Sequence, residues 1–219
     1  AGGVWSITLA EAGTSFLGAY SDPDTPPRLG FYRADGSLVR WLEENRFDDT
    51  HPWAPYRETR ARMRFGTLTG PSGDTLYWSM HLPPGFDPAK KWPAIVHTYG
   101  GPGSQFVTRS WGSNADQLHA ANGYIVFRLD NRGTPNRGAR FERAIHKLLG
   151  TPEVEDQLAG LKFLKEQPFV DAERIGVRGW SYGGTMALRL ATMAPDAFAA
   201  YAAGAPVTGS ISTSGILPS

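Results

Sequence analysis

The chain has 219 residues, of which 41% are hydrophobic and 20% are charged, a composition ordinary for a globular protein. Its 22 Lys and Arg residues against 21 Asp and Glu residues give a formal net charge of +1, so charge makes no case for nucleic acid or an anionic membrane as a partner. The absence of cysteine excludes disulfides, thiolate metal sites and a cysteine nucleophile, and fits either the cytosol or a periplasm.

The first 41 residues are predicted to form four short strands separated by turn residues. These strands are Val4–Leu9, Ser15–Tyr20, Arg28–Tyr32 and Leu38–Trp41, and their spacing is typical of hairpins. Four such strands would make one blade of a β-propeller, which buries its faces against neighbouring blades. A small sheet that decorates the following domain is the alternative.

Residues 42–62 are polar and contain prolines, and we interpret them as a linker. From Met63 the pattern changes to that of an α/β domain, which begins with a hairpin formed by 64–68 and 75–82. Buried-strand runs then alternate with helical segments, so we expect a mainly parallel sheet with right-handed crossovers. The runs are Ala94–Thr98, Tyr124–Leu129, Ile175–Gly179 and Phe198–Ala203, and the helical segments are 113–122 and 151–165.

The second of these helices has a clear start and a clear apolar face. Thr151 is predicted as its N-cap, and acidic residues in the first turn favour the helix dipole. Those acidic residues are Glu153, Glu155 and Asp156. The apolar positions expected to face the sheet are Val154, Leu158, Leu161 and Leu164.

A candidate nucleophile follows the strand at 175–179. The motif is Gly179-Trp180-Ser181-Tyr182-Gly183, and the helix-compatible run 185–191 follows it. Strand, sharp turn and helix are the setting of the nucleophile elbow of an α/β-hydrolase. Glycines at 179 and 183 avoid collision with the adjoining strand and helix, and Gly184 adds room. Ser181 is then the nucleophile and the Tyr182 N–H an oxyanion donor; a structural serine in a tight turn is the alternative.

A second glycine-rich segment follows the strand at 94–98. Its sequence is Tyr99-Gly100-Gly101-Pro102-Gly103-Ser104, and hydrolases of this fold place a loop with the second oxyanion donor at this point. The Tyr99 hydroxyl can itself be that donor, or Tyr99 can be a packed aromatic residue. The glycine patterns of phosphate-binding loops are absent.

The remaining polar motifs do not complete a catalytic triad. For the turn 130–134 (Asp-Asn-Arg-Gly-Thr) we favour a structural role through carboxylate–guanidinium pairing. All five histidines precede Ser181 and lack metal-ligand spacing, whereas the hydrolase order is Ser, then Asp or Glu, then His. The acidic residue that follows Ser181 is Asp196, which we assign to the end of the elbow helix.

Jointly, several segments resemble the prolyl oligopeptidase family and its dipeptidyl peptidase IV branch. The residues that carry the resemblance are Trp41-Leu42-Glu43-Glu44-Asn45, Tyr99-Gly100-Gly101-Pro102, Asp130-Asn131-Arg132-Gly133-Thr134, 149–157, Phe169-Val170-Asp171 and 179–184. The resemblance implies an α/β-hydrolase fold preceded by the last blade of a β-propeller. The implied division is 1–41 for the blade, 42–62 for the linker, 63–208 for the catalytic domain and 209–219 for a tail.

By this resemblance, Ser181 is the nucleophile of a serine exopeptidase. The Tyr99 hydroxyl and the Tyr182 N–H form the oxyanion hole, and Trp180, Tyr182 and Val207 line the substrate pocket. The implied substrate is a peptide with Pro or Ala in second position, from which an N-terminal dipeptide is released without a metal or cofactor. The implied assembly is a homodimer, with no nucleic acid or membrane partner, and a periplasmic or secreted location is slightly favoured over the cytoplasm.

Departures from the family pattern lie at the two ends of the chain. The tail 209–219 reads as foreign or unstructured, the start at Ala1 lacks the features of a signal peptide, and the missing initial Met indicates processing or a fragment. We expect the triad Asp and His after Ser219 and further blades before Ala1.

The alternatives to a dipeptide-releasing exopeptidase are an acylaminoacyl peptidase, an esterase of the same fold, or a noncatalytic module.

Overall fold

The computed structural model describes residues 2–208 of the chain. The tail 209–219, predicted to be foreign or unstructured, lies outside the described residues. The chain divides into two compact units: one runs to Arg60 and includes Thr108–Leu118, and the other comprises Ala61–Val107 and continues from His119. The division into blade, linker and catalytic domain drawn from the sequence stays a prediction.

The first unit contains a four-stranded antiparallel sheet in the order β1-β2-β3-β4. The strands are β1 (Val4–Leu9), β2 (Ser15–Ser21), β3 (Arg28–Arg33) and β4 (Leu38–Glu43), each within two residues of its predicted bounds. Aromatic side chains organise one face, where Tyr32 stacks on Phe16 with ring centroids 5.0 Å apart and meets Trp5 and Trp41 edge to face. This is the arrangement predicted for one propeller blade.

The rest of the first unit is organised around Trp111. Phe47 and Trp53 meet its ring edge to face at 5.2 and 6.5 Å, and the Arg60 guanidinium lies 3.1 Å from the ring centroid. Arg60 also donates hydrogen bonds to the carbonyl oxygens of Pro23 and Trp111. Burial lowers the pKa of Arg60 to about 10, since the charged form loses hydration there.

The second unit contains a six-stranded sheet in the order β10-β9-β7-β8-β6-β5. Its strands are β5 (Arg62–Thr69), β6 (Thr75–Leu82), β7 (Trp92–His97), β8 (Ile125–Asp130), β9 (Val170–Trp180) and β10 (Ala200–Gly204). The four strands β10, β9, β7 and β8 pair in parallel, and β6 and β5 add an antiparallel edge. The predicted hairpin and the mainly parallel sheet are therefore confirmed.

Helices connect the parallel strands. They are α1 (Asn114–Ala121), α2 (Ala139–Glu142), α3 (Pro152–Lys165) and α4 (Tyr182–Met193). Helices α1, α3 and α4 coincide with predicted helical segments, and the short α2 was not predicted. None of the helices within residues 2–208 combines the length and apolar character that a membrane crossing requires. The core lies in the second unit, where Ile125, Val126 and Phe127 of β8 are fully buried, because both faces of a central parallel strand are covered.

Helix α3 agrees with the sequence in its apolar face and in the residue at its N-cap. Val154, Leu161 and Leu164 are buried and Leu158 packs beside them, as the helical spacing predicted. Thr151 stands at the N-cap, as predicted, but its side chain makes no capping hydrogen bond. Its backbone lies in the helical region rather than the extended region from which a threonine hydroxyl caps the first turn.

Candidate active site

Ser181 is the single residue between strand β9 and helix α4. Its backbone adopts φ 56° and ψ −121°, a region that only glycine reaches without strain. The Ser181 N–H donates to the Gly204 carbonyl at 3.0 Å, and its own carbonyl accepts the Thr185 N–H at 3.1 Å. The turn is therefore held on both sides, by the neighbouring strand β10 and by the first turn of α4.

Three glycines around Ser181 occupy positions with no room for a side chain. A Cβ on Gly179 would overlap the Gly183 carbonyl, one on Gly183 would overlap the Thr98 carbonyl, and one on Gly184 would overlap the Gly204 carbonyl. Each obstructing group is backbone, which cannot rotate away as a side chain can. This close approach is the steric reason that the sequence analysis gave for glycine at these positions.

The glycine-rich segment 99–104, which we call the Tyr99 loop, lies beside Tyr182. The two rings are 6.2 Å apart at their centroids, and Tyr99 also stacks on Phe106 at 5.4 Å. A Cβ on Gly101 would lie 2.8 Å from the Tyr99 ring and 3.0 Å from Cγ of Tyr182, so Gly101 has to be a glycine for the loop to approach the elbow this closely. The structure thus brings together two segments that are more than eighty residues apart in the sequence.

The start of helix α4 gives this site its electrostatic character. The first N–H groups of a helix have no partner within the helix, and they carry the positive end of its dipole. Since Tyr182 is the first residue of α4, its N–H is one of these groups and stands directly after Ser181. A negative oxygen that develops near Ser181 would find a favourable potential here.

The Tyr182 side chain is anchored by Glu153 of helix α3, a residue that the sequence analysis did not include in the site. Its hydroxyl donates to a carboxylate oxygen of Glu153 at 2.7 Å, and the other oxygen accepts the Gly150 N–H at 3.0 Å. Glu153 is 0% exposed. Burial, together with the bond to Glu153, raises the pKa of Tyr182, because ionisation would put a second negative charge beside the carboxylate. From its position in the first turn of α3, the sequence predicts for Glu153 only a favourable interaction with the helix dipole.

A second buried chain of hydrogen bonds reaches the Tyr99 loop. The Asn131 side-chain amide donates to the Gly100 carbonyl at 3.2 Å and to the Arg132 carbonyl at 2.6 Å. Gln157 donates to the Asn131 side-chain oxygen at 2.9 Å and to the Leu129 carbonyl at 3.1 Å. Backbone carbonyls only accept, so they fix the orientation of both amides. Nothing in the local sequence pattern marks Asn131 or Gln157 for this role.

The rest of the turn 130–134 ties the surrounding loops to α3. One carboxylate oxygen of Asp130 accepts the N–H groups of Phe106 and Val107 at 2.8 and 3.0 Å, and burial raises the pKa of this carboxyl. Arg132 makes a two-pronged bond to Asp156 at 2.8 and 3.0 Å, which raises the pKa of Arg132. The predicted carboxylate–guanidinium pairing therefore occurs between this turn and α3.

The remaining predicted pocket residues are less enclosed. Trp180 is 68% exposed and Val207 is 45% exposed. The Val207 N–H and carbonyl both bond to the Thr185 hydroxyl, at 2.9 and 3.0 Å, which holds residue 207 against the first turn of α4. Asp196 is exposed beyond the end of α4 at Met193. A pocket role for Trp180, Tyr182 and Val207 stays a prediction.

Within residues 2–208, no three His, Asp or Glu side chains are grouped so that they could hold a metal ion. His81 and His97 are buried, and the ring of His97 meets Phe106 edge to face at 5.1 Å. These two histidines are part of the protein interior, where a packed role is the simplest account of them.

Comparison with known proteins gives a consistent picture. Residues 111–216 match the model of the prolyl oligopeptidase family. Dipeptidyl peptidase 8 of Mus musculus is 40% identical over 217 residues, which cover 93% of this chain and 23% of the mouse protein.

Two solved structures are also similar to this chain. Dipeptidyl peptidase 4 of Porphyromonas gingivalis superposes with a TM-score of 0.78 at 30% identity, covering 85% of this chain and 26% of that one. A Bacteroides ovatus protein described as a dipeptidyl aminopeptidase IV gives a TM-score of 0.79 at 37% identity, covering 90% and 28%. The chain therefore spans about a quarter of the length of the relatives it matches.

Proposed function

Because this chain belongs to the prolyl oligopeptidase family, we propose that it supplies the nucleophile and oxyanion hole of a serine peptidase that removes dipeptides from peptide N-termini. The observation that carries the proposal is the backbone of Ser181, which is strained between β9 and α4 with φ 56°. A merely structural serine would not need a conformation that costs about 1–3 kcal/mol. The names of the mouse and bacterial relatives support the same reaction class.

In the proposed reaction, the Ser181 oxygen attacks the carbonyl carbon of the bond that follows the second residue of the substrate. The resulting oxyanion accepts hydrogen bonds from the Tyr182 N–H and the Tyr99 hydroxyl, which strengthen as charge develops. Collapse of the tetrahedral intermediate releases the remaining peptide as an amine and leaves the dipeptide as an ester on Ser181. Water then hydrolyses this ester.

The base that takes the proton from Ser181, and then gives it to the departing amine, is a histidine in the proposed mechanism. No histidine follows Ser181 within the 219 residues, so we assign the base and its acidic partner to sequence outside them. The proposed substrate has Pro or Ala in second position, a choice that rests on the resemblance and on Trp180, Tyr182 and Val207 as pocket residues. The homodimer implied by the resemblance is part of this proposal, and the mass of the gene product in solution tests it.

The test uses the full product of the gene that encodes this chain. Wild-type protein is expected to hydrolyse Gly-Pro and Ala-Pro chromogenic amides, and Ser181→Ala should lower kcat by about 10⁴-fold or more, because the nucleophile is lost. Ser37→Ala is the matched control, since Ser37 is an exposed turn residue and should leave the rate within twofold.

Two results would contradict the proposal. Unchanged turnover in Ser181→Ala would remove Ser181 from the mechanism. Faster hydrolysis of acyl-Ala amides or short esters than of Gly-Pro amides would keep the nucleophile and replace the substrate class.

Labelling of wild-type protein, but not of Ser181→Ala, by a fluorophosphonate probe would show that the serine is activated and would argue against a noncatalytic module.

A further inference from the structure

Helix α3 buries three polar side chains that packing alone does not require. Glu153 and Asp156 are 0% exposed and Gln157 is 1% exposed, although the face of a helix that packs on a sheet is normally apolar. A buried carboxylate or amide is costly unless hydrogen bonds replace its lost hydration. The hydrogen-bond and ion-pair partners of these three residues therefore indicate the role of this face of α3.

Glu153 contacts the elbow directly. Its carboxylate accepts the Tyr182 hydroxyl at 2.7 Å, and the Gly150 N–H at 3.0 Å keeps the carboxylate itself in place. Tyr182 is consequently fixed at two points, by its backbone at the start of α4 and by its hydroxyl on α3. The ring between these points also limits the approach of Gly101, so a moved ring would change the loop as well.

Gln157 acts on the other side of the site. It donates to Asn131, and Asn131 donates to the carbonyl of Gly100, the residue that follows Tyr99. Gly100 has φ 74°, and a Cβ there would lie 2.9 Å from the Asn131 side-chain oxygen. The Tyr99 loop is thus tethered to α3 through a single intermediate side chain.

The two tethers start from neighbouring positions on α3. Residues 153 and 157 are four apart and lie one turn above each other on the same helix face. Asp156, in the same turn, holds the helix to Arg132 through a two-pronged ion pair. One rigid helix therefore holds both segments to which the oxyanion donors belong, the elbow directly through Glu153 and the Tyr99 loop through Asn131.

We propose that Glu153 and Gln157 are positioning residues that hold the two oxyanion donors, Tyr182 and Tyr99, at a fixed separation from one face of α3. This inference rests on the proposed function. Neither residue touches the substrate in this scheme; each acts through the segment that it tethers. Because the donors serve the transition state more than the bound substrate, a lost tether is expected to lower kcat by a larger factor than it raises KM. A small rise in KM is expected for Glu153 variants, since the Tyr182 ring is also a proposed pocket residue.

The test compares Glu153→Gln and Glu153→Ala in the full gene product, with Glu155→Gln as control. Glu155 lies in the same turn of α3 and pairs with Arg132 at 2.8 Å on the half-exposed side, without touching Tyr182. Glu153→Ala should lower kcat for Gly-Pro amide by about tenfold or more, since loss of an oxyanion donor itself costs about 10²–10³. Glu153→Gln keeps an acceptor for the Tyr182 hydroxyl and should recover most of the rate, and Glu155→Gln should stay within twofold.

A double-mutant cycle separates positioning from a general loss of stability. Tyr182→Phe keeps the proposed N–H donor and removes only the hydroxyl, so it breaks the same hydrogen bond as Glu153→Ala. In the Glu153→Ala background, Tyr182→Phe should lower kcat by no more than a further twofold. Gln157→Leu breaks the other tether. In the double variant with Glu153→Ala, the fold reductions in kcat caused by the two substitutions should multiply.

The outcomes distinguish this inference from the proposed function. If Ser181→Ala abolishes turnover while folded Glu153→Ala keeps kcat within twofold of wild type, the positioning role is wrong and the peptidase assignment stands. If Ser181→Ala retains turnover, the proposed function itself is wrong. If Glu153→Ala does not fold, Tyr182→Phe alone tests the tether, because it breaks the same hydrogen bond. A kcat of Tyr182→Phe within twofold of wild type would overturn the inference.

Discussion

Replacement of Gly179 by alanine perturbs the elbow at a position where the structure leaves no room. The added Cβ would overlap the Gly183 carbonyl group, which is backbone in the first turn of α4. Gly176, three residues earlier in the same strand β9, provides the matched change. A Cβ at Gly176 would meet only Ala200, at the ordinary contact distances of 3.5 and 3.8 Å.

The magnitude follows from these two environments. Overpacking of a core commonly costs about 1–3 kcal/mol, and the obstruction at Gly179 belongs at the upper end because backbone has to move. Alanine in place of glycine within a strand stabilises a protein by about 0.5–1 kcal/mol, because the unfolded chain loses conformational entropy. This gain applies equally to Gly176 and Gly179, which lie in the same strand β9, so it cancels in the comparison. We therefore expect Gly179→Ala to be less stable than Gly176→Ala by about 2–3 kcal/mol.

Urea denaturation of the full gene product, followed by the fluorescence of its tryptophans, measures this difference in the free energy of unfolding. Turnover of Gly-Pro amide is measured beside it, and we expect it to be lost in Gly179→Ala and kept in Gly176→Ala, because displacement of the Gly183 backbone moves Ser181. Equal unfolding free energies within about 0.5 kcal/mol, together with equal turnover, would refute the steric reasoning.

Three further outcomes are expected. Ser181→Gly should be more stable than Ser181→Ala by about 1 kcal/mol in urea denaturation, because glycine relieves the strain at φ 56°; equal stabilities would count against strain. Arg132→Met should lower the free energy of unfolding by about 3–5 kcal/mol, because it leaves the fully buried Asp156 without its ion-pair partner. Loss of the exposed Arg174 ion pair should lower it by less than about 0.5 kcal/mol, and similar decreases for the two ion pairs would contradict the dependence on burial. Burial raises the pKa of Tyr182, so the stabilisation by this tyrosine is complete below about pH 10 and falls at higher pH, where the tyrosine of the unfolded chain ionises. The free energy of unfolding should therefore decrease less steeply with alkaline pH in Tyr182→Phe than in wild type. Identical slopes in the two proteins would contradict the raised pKa.

Most of the strands and helices of this chain can be predicted from its sequence. Strands β1 to β4 and the hairpin β5–β6 were predicted within two residues from alternation and turn residues, and α3 was predicted from its apolar spacing. Strand β9 is longer than its prediction, since it begins at Val170 rather than Ile175. Its polar first half, 171–174, carries no apolar run that could mark it as a strand.

The elbow is a local feature, and for that reason the sequence shows it. Ser181, its flanking glycines, the strand before it and the helix after it are contiguous, and each residue's requirement follows from its immediate neighbours. The loop that begins at Tyr99 is recognised in the same way, from glycines that follow a strand. The sequence alone thus determined which serine is the candidate nucleophile and which two segments should meet around it.

Only the tertiary structure decided how those segments are held. Glu153 and Tyr182 are 29 residues apart, and Asn131 is 31 residues from Gly100 and 26 from Gln157. In the sequence, Glu153 is indistinguishable from any acidic residue in a first helical turn, because a hydrogen bond between distant residues leaves no periodic signal. Such a partner is chosen by the packing of α3 against the sheet and the elbow, which no local pattern records.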